Sequence, residues 1–160
     1  MADGHERFVA AARELGIEIR AIAYPEGTRT AEDAARAIGC EVDQIVKSLV
    51  FVAIDDSGTE QPVVALTSGS NRVDEVALAR LLDAHHVRKA DADEVRTASG
   101  FSIGGTPPFG HARDMPVYLD PHLATFDEVW AAAGTAQHVF PLTPDELRRA
   151  GAEDIGDFTS

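Results

Sequence analysis

The ten residues from Ile45 to Ile54, Ile-Val-Lys-Ser-Leu-Val-Phe-Val-Ala-Ile, are rich in β-branched side chains and almost wholly apolar. A run of this kind is expected at a central position of a sheet. Asp55-Asp56-Ser57-Gly58 then reads as a hairpin turn, and Pro62 to Thr67 as the antiparallel return. This pair forms the middle of the sheet, and the rest of the chain has to be arranged around it. One residue interrupts the strand: Lys47.

The flanking segments alternate between helical and extended patterns. His5 to Leu15 puts Phe8, Ala11, Ala12 and Leu15 on one helical face, closed by Gly16. Ile17, Ile19 and Ala21 alternate with Glu18 and Arg20, which predicts a strand through Ile22 before Tyr24-Pro25-Glu26-Gly27 turns the chain. Thr30 with Asp33 opens a second helix carrying Ala34, Ala35 and Ile38, and Asn71 with Asp74 is expected to cap a third carrying Val76, Ala77, Leu81 and Leu82. Val87 starts a short strand, and Asp91 with Glu94 caps a helix through Ala98. Pro116 to Leu119 is a further strand, and Val129 to Ala133 with His138 to Leu142 makes a hairpin across Gly134-Thr135. Thr143-Pro144-Asp145-Glu146 opens a last helix through Arg149, and the acidic tail from Gly151 is expected to be peripheral. Hairpins mixed with separated helices, without linker or repeat, predict a single α+β domain over residues 1–160 with a mixed, mostly antiparallel sheet flanked by helices.

Composition narrows the function classes. The chain has 160 residues, 44% apolar and 26% charged, enough to bury a core without disulfides or metal. Cys40 is the only cysteine, so there is no disulfide framework or cysteine metal cage, in keeping with a reducing cytosol. Met1 to Arg13 lacks the basic-then-apolar layout of an export signal and no run reaches the ~18 apolar residues of a membrane span, so the expectation is a cytoplasmic protein without a membrane partner. A formal charge of −13 opposes broad binding to a nucleic acid backbone, so DNA is not an expected partner and RNA would have to be touched locally, at a strand end.

The stretch Gly-Phe-Ser-Ile-Gly-Gly-Thr-Pro-Pro-Phe-Gly, Gly100 to Gly110, cannot be a regular helix, and no carboxylate occurs between Glu94 and Asp114. It reads in two ways: a tight helix-to-strand connection, or a backbone nest in which amides at Gly104, Gly105 and Thr106 converge on one anionic spot while Pro107 and Pro108 limit collapse. The loop is neither a Walker loop nor a dinucleotide fingerprint. Lys47 likewise either snorkels to solvent or stands as a fixed cation for a phosphate or developing oxyanion. Among six histidines His5 is expected to be disordered, and His85, His86 and His122 exposed, whereas His111 and His138 can donate to a substrate. No metal-ligand spacing joins them and no Gly-x-Ser-x-Gly elbow surrounds Ser48, Ser68, Ser70, Ser99 or Ser102, so no metal, cofactor or covalent nucleophile is expected.

Lys47 in Ile-Val-Lys-Ser-Leu-Val-Phe and the Gly104-Gly105-Thr106-Pro107-Pro108 loop together resemble the YbaK/EbsC family, relatives of the editing domain inserted in bacterial prolyl-tRNA synthetases. Gly104 and Pro108 end the family's Gly-x-x-x-Pro pattern, Lys47 falls at its functional lysine, and the order of elements matches over nearly the whole chain. The resemblance implies a free-standing aminoacyl-tRNA deacylase that removes a mischarged small amino acid, with tRNA-Pro the expected carrier. Its partners would be the 3′ end of the tRNA and a synthetase. Lys47 would hold the terminal phosphate or ribose, and the amides of Gly104, Gly105 and Thr106 the oxyanion. Tyr24 and Ser48 would contact the pocket or terminal adenosine, with Pro108, His111 and His138 also on the substrate side and Ala133 to His138 as a wall. Asparagine can follow the lysine where this chain has Ser48, and Ala133 stands where some members have serine. Two other readings stay open. One is a non-catalytic module that binds a tRNA end or a synthetase; the other is a different hydrolase or small-anion domain using the loop as a phosphate nest, which would not need Lys47 nearby. Alanine, cysteine, serine and threonine are all small enough to be the amino acid removed.

Overall fold

A computed structural model describes residues 3–24 and 30–160 of the chain. In order, the elements are α1 (Gly4–Glu14), β1 (Ile22–Ala23), α2 (Ala31–Ile38), β2 (Ile45–Ile54), β3 (Glu60–Ser68), α3 (Glu75–Leu82), β4 (His86–Lys89), α4 (Ala92–Ser99), β5 (Val117–Leu119), β6 (Val129–Ala132), β7 (His138–Leu142), α5 (Pro144–Arg149) and β8 (Ala152–Glu153). The strands form one mixed sheet in the order β1-β7-β6-β2-β3-β5-β8, with β4 also on β2. Pairs β1–β7, β2–β3, β2–β4 and β6–β7 are antiparallel, and β2–β6, β3–β5 and β5–β8 parallel. The expected α+β domain with a mixed sheet flanked by helices is therefore the observed fold.

β2 runs from Ile45 to Ile54 as expected and is covered on both faces. Val46, Val50 and Val52 join Phe8, Phe101, Phe109 and Phe140 in one cluster, while Phe51 joins Val63, Leu78 and Phe158 in another. Phe8 is the hub of the first, its ring centroid 5.1 Å from Phe109 and 5.2 Å from Phe140. Each such ring contributes about 1.5–3 kcal/mol by leaving water.

The pairing along β2 is uneven, and this matters for function. β3 takes one edge along its whole length. The other edge is shared: β6 pairs only with Ile45 and Val46, and β4 only with Phe51 to Ile54. The sheet is split between them.

Several expectations need correction. Ile17, Ile19 and Ala21 do turn toward the core, but only Ile22 and Ala23 find a neighbouring strand, so the alternation marks packing and not a ladder. The N-cap of α3 is Asp74, which accepts from the amides of Val76 and Ala77. Asn71 is not part of that cap, because its side chain donates to Asp120 instead. Leu78 is the buried residue of α3, with Val76 62% exposed. The tail is not peripheral: β8 extends the sheet beside β5, and Phe158 is fully buried. His5 is ordered within α1. The expected Tyr24-Pro25-Glu26-Gly27 turn lies, apart from Tyr24, outside the described residues.

α4 delivers the chain into the glycine loop, and one residue of β4 fixes it. Arg88 donates from both terminal nitrogens to Glu94, at 2.8 Å each, and also to Glu60 at 3.0 Å. The Arg88 guanidinium and the Asp91 amide hold the Glu94 carboxyl at about 2, below its ordinary 4.5. A depressed carboxylate supports the fold above its unfolded value, and that support is lost as pH falls through the folded one. Stability is thus expected to decline on acidification from about pH 4.5 toward 2, and Glu94→Gln to flatten that decline in urea melts.

Candidate active site

Where β2 has neither β6 nor β4 beside it, the sheet opens. The Ala90 amide donates to Val50 O at 3.1 Å and closes one end of the gap. Backbone groups two residues apart point the same way, so the amide and carbonyl of Ser48 face the opening. The resulting cleft, of about 250 Å³, is floored by Lys47, Ser48 and Leu49. Ile103, Gly104 and Thr106 of the glycine loop form one wall, Trp130 to Ala132 of β6 a second, and Thr30, Ala31 and Ala34 at the start of α2 a third. Among the described lining residues Lys47 alone is charged, and there is no carboxylate.

Lys47 does not snorkel freely. Its Nζ donates to Asn71 O at 2.6 Å. Burial pushes the ammonium below the ordinary lysine value, partly offset by Glu32. The loop supplying that carbonyl is itself anchored by Asp120, which is 1% exposed. Asp120 accepts from the Ser68 amide at 3.0 Å, the Asn71 side-chain amide at 2.9 Å and the His122 amide at 2.9 Å. A buried carboxylate with three N–H donors is fully satisfied, so it fixes Asn71 and through it the direction of Lys47. Sequence reasoning missed this network. The available signal was an Asp directly after the strand Pro116 to Leu119, facing a polar loop otherwise without a role.

Ser48 has the reverse character. Its Oγ is the one buried side-chain nitrogen or oxygen, among the described residues, without a hydrogen-bond partner. Such a group costs about 1–3 kcal/mol, and it is buried beneath the cleft floor that Ser48 lines.

The glycine loop is held from several sides. At its base the Ala112 amide donates to Ser99 O at 2.8 Å and the Arg113 amide to Ala98 O at 3.0 Å. Inside it, Thr106 Oγ1 donates to Ser102 O at 2.8 Å. The Gly105 amide also donates to Ser102 O, at 3.0 Å, which corrects one expectation: Gly105 does not offer its amide to a ligand. Gly104 and Thr106 remain to do so. Gly105 instead lies flat against the β6–β7 turn, where a Cβ would stand 2.7 Å from Thr135 Cα. Pro108, within the loop, is buried. His111 Nε2 donates to Pro107 O at 2.8 Å, and burial lowers the imidazole below its ordinary value. Neither Pro108 nor His111 is among the described cleft-lining residues, and both act as supports of the loop.

His138 and His5 form a stacked pair, ring centroids 4.0 Å apart. His138 Nδ1 shares a 2.7 Å hydrogen bond with Thr135 Oγ1, and His5 Nδ1 donates to Ala133 O at 2.9 Å. The pair clamps the turn on which Gly105 rests. The backbone amide of Tyr24 donates to Gln137 O at 2.6 Å, setting Tyr24 beside the same turn and outside the described lining. Lys47, Ser48, Gly104 and Thr106 are thus brought together, with Gly105, Pro108, His111, His138 and Tyr24 around them. Trp130, Ile103 and Thr30 were not expected in the lining. No group of three or more His, Cys, Asp or Glu is placed to hold a metal ion among the described residues.

Residues 25–150 match the model of the aminoacyl-tRNA editing domain. The chain is 34% identical over 124 residues to the uncharacterized protein YwhH of Bacillus subtilis, covering 78% of this chain and 76% of YwhH. It is 27% identical over 125 residues to EbsC of Enterococcus faecalis, named as a candidate Cys-tRNA(Pro)/Cys-tRNA(Cys) deacylase, covering 78% and 74% respectively. Among solved structures, a crystal structure described as a candidate trans-editing enzyme for prolyl tRNA synthetase superposes with a TM-score of 0.89 at 41% identity, over 100% of this chain and 99% of that one.

Proposed function

The chain belongs to the aminoacyl-tRNA editing domain family, and on that premise we propose that it is a trans-acting deacylase that hydrolyses the ester of a mischarged small amino acid on tRNA-Pro. One observation carries the reading. Lys47, Ser48, Gly104 and Thr106 meet in one cleft whose described lining has no carboxylate. This is the juxtaposition a tRNA end and a negatively charged transition state require, and it argues against a phosphate nest that works without Lys47.

In the proposed mechanism the terminal ribose enters over Lys47, whose ammonium holds its oxygens or the adjoining phosphate. A water, positioned against the bound ester, attacks the carbonyl carbon. The carbonyl oxygen becomes an oxyanion facing the amides of Gly104 and Thr106. The bond from carbon to the ribose oxygen then breaks, and that oxygen takes the proton released by the water. The products are a free amino acid and an uncharged tRNA. No side-chain base is needed, since the ester already has a reasonable leaving group.

The cleft volume, about 250 Å³, lies under the ~300–1,000 Å³ usual for small-molecule sites and suits a small aminoacyl group. The names of EbsC and of the trans-editing structure favour the proline tRNA and make cysteine the first amino acid to test. The non-catalytic reading leaned on Ala133. That residue is fully buried in the core cluster and lies outside the described cleft lining, so its missing hydroxyl takes nothing from the cleft. Release of labelled cysteine from Cys-tRNA-Pro separates the two readings: the enzyme releases it far faster than buffer does, and a binding module only protects or ignores it.

Ser48 supplies a paired prediction. Ser48→Ala removes a buried unsatisfied hydroxyl, so it should raise stability by about 1 kcal/mol while lowering kcat/KM about tenfold. Thermal melts and deacylation kinetics check the opposite signs; a fall in both would make the hydroxyl a packing group.

A further inference from the structure

A second cleft adjoins the first across a single peptide unit: Ile103 lines the first, and Ser102 lines the second. The second cleft, of about 490 Å³, lies between α1, the last turn of α4 and the β6–β7 turn. Arg7 and Arg96 both line it, and its described lining contains no carboxylate. That is unusual ground in a chain with a net charge of −13.

The two arginines differ in how they are held. Arg7 Nη1 donates to Gly100 O at 2.8 Å, and its guanidinium carbon sits 4.9 Å from the centre of the Phe101 ring. This fixes the plane of the guanidinium and leaves most of its five N–H donors unused. Arg96 is exposed on α4, and neither arginine is ion-paired among the described residues, whereas Arg36, Arg88 and Arg148 all are. Between the clefts Ile103 is 57% exposed, an apolar ridge on which a base can rest. A guanidinium fork suits a phosphate better than an ammonium does.

We propose that this second cleft binds a phosphodiester of the single-stranded RNA end, just upstream of the terminal nucleotide held in the first cleft. The proposal rests on the deacylase reading and deepens it. It also explains how so acidic a chain captures RNA: two arginines beside the site, together with Lys47 inside it, attract the strand end locally against a net charge of −13.

The test uses the full chain with Arg96→Gln, a side chain that holds no part of the loop, and Arg7→Lys, which keeps the charge but not the fork. Binding of a fluorescent, uncharged RNA oligonucleotide with the tRNA 3′-terminal sequence is followed against salt. In Arg96→Gln, losing one phosphate contact to a single strand should make the slope of log K against log salt shallower by about 0.7, which is about fivefold in affinity at 0.1 M salt, whereas Arg7→Lys should weaken binding with the slope kept. In parallel, the advantage in kcat/KM of aminoacyl-tRNA over a 3′-aminoacyl-adenosine, which has no phosphodiester, should fall by about the same factor. An unchanged salt slope in Arg96→Gln overturns the proposal, as does equal loss on both substrates. Inorganic phosphate displacing the oligonucleotide at equal phosphate concentration would assign the cleft to a free anion and overturn it too. If neither substrate is hydrolysed, the deacylase reading fails, yet the salt slope still decides whether the arginines bind RNA.

Discussion

Replacing Lys47 by alanine is expected to lower kcat/KM for deacylation roughly 100-fold or more, the scale of removing one preorganised charge-stabilising donor, while leaving the fold in place. The two halves of this prediction have separate causes. Lys47 is the only charge among the described residues of the cleft, so nothing nearby can replace it in holding the RNA terminus. For stability, the variant loses the hydrogen bond to Asn71 O but also the burden of a half-buried ammonium. These terms oppose each other, and the net change should stay within about 1 kcal/mol. Lys47→Met, which keeps the apolar stem, should be as inactive as alanine, and Lys47→Arg should not restore activity, because its planar fork cannot reproduce a point charge directed by Asn71. Retained activity in the alanine or methionine variant would remove Lys47 from the mechanism, and activity in the arginine variant would show that any cation at this position suffices.

Gly105→Ala should damage both fold and activity. An added Cβ would lie 2.7 Å from Thr135 Cα and 2.9 Å from Gly134 O, and both are backbone that cannot rotate away. The loop must then lift off the β6–β7 turn, at about 1–3 kcal/mol for overpacking. In a chain of this size each kcal/mol is about 2–4 °C in Tm. Because Gly104 and Thr106 flank the displaced residue, their amides move with it, and a shift near 1 Å costs on the order of 100-fold in rate. Gly104→Ala is the control, since its Cβ would meet only Ala136 Cβ at an ordinary 3.5 Å and should leave Tm unchanged. Equal Tm losses in the two variants would contradict this account of why a glycine stands at 105.

Much of the fold was legible because its signals are local. β2 is apolar along its whole length, and Asp91 with Glu94 and Thr143 with Glu146 form the expected capping boxes. What was not legible depends on contacts far apart in sequence. Asn71 and Asp74 are both good N-cap residues, and Asp120, some fifty residues later, decides between them by taking the side chain of Asn71. Phe158 is buried because β8 finds the free edge of β5, which no pattern in the tail announces. For the site, Lys47 and the glycine loop stood out as departures from local rules: a cation in an apolar strand, and glycines and prolines between a helix and a strand. The gap between β6 and β4 that joins them follows from how those two strands share one edge of β2. His5 was misjudged from its nearness to the N-terminus, although α1 carries it onto His138.

The most direct measurement is a single-turnover comparison of tRNA-Pro charged with cysteine, alanine, serine, threonine and proline, each incubated with the intact protein and with buffer alone. The account predicts that at least one of the four small esters is hydrolysed roughly 100-fold or more above its spontaneous rate while the prolyl ester is spared, a gap within the ~10–200-fold that pocket size provides per methylene, supplemented by the Ser48 hydroxyl. Release of every ester at the spontaneous rate, or of proline as fast as the others, would contradict it.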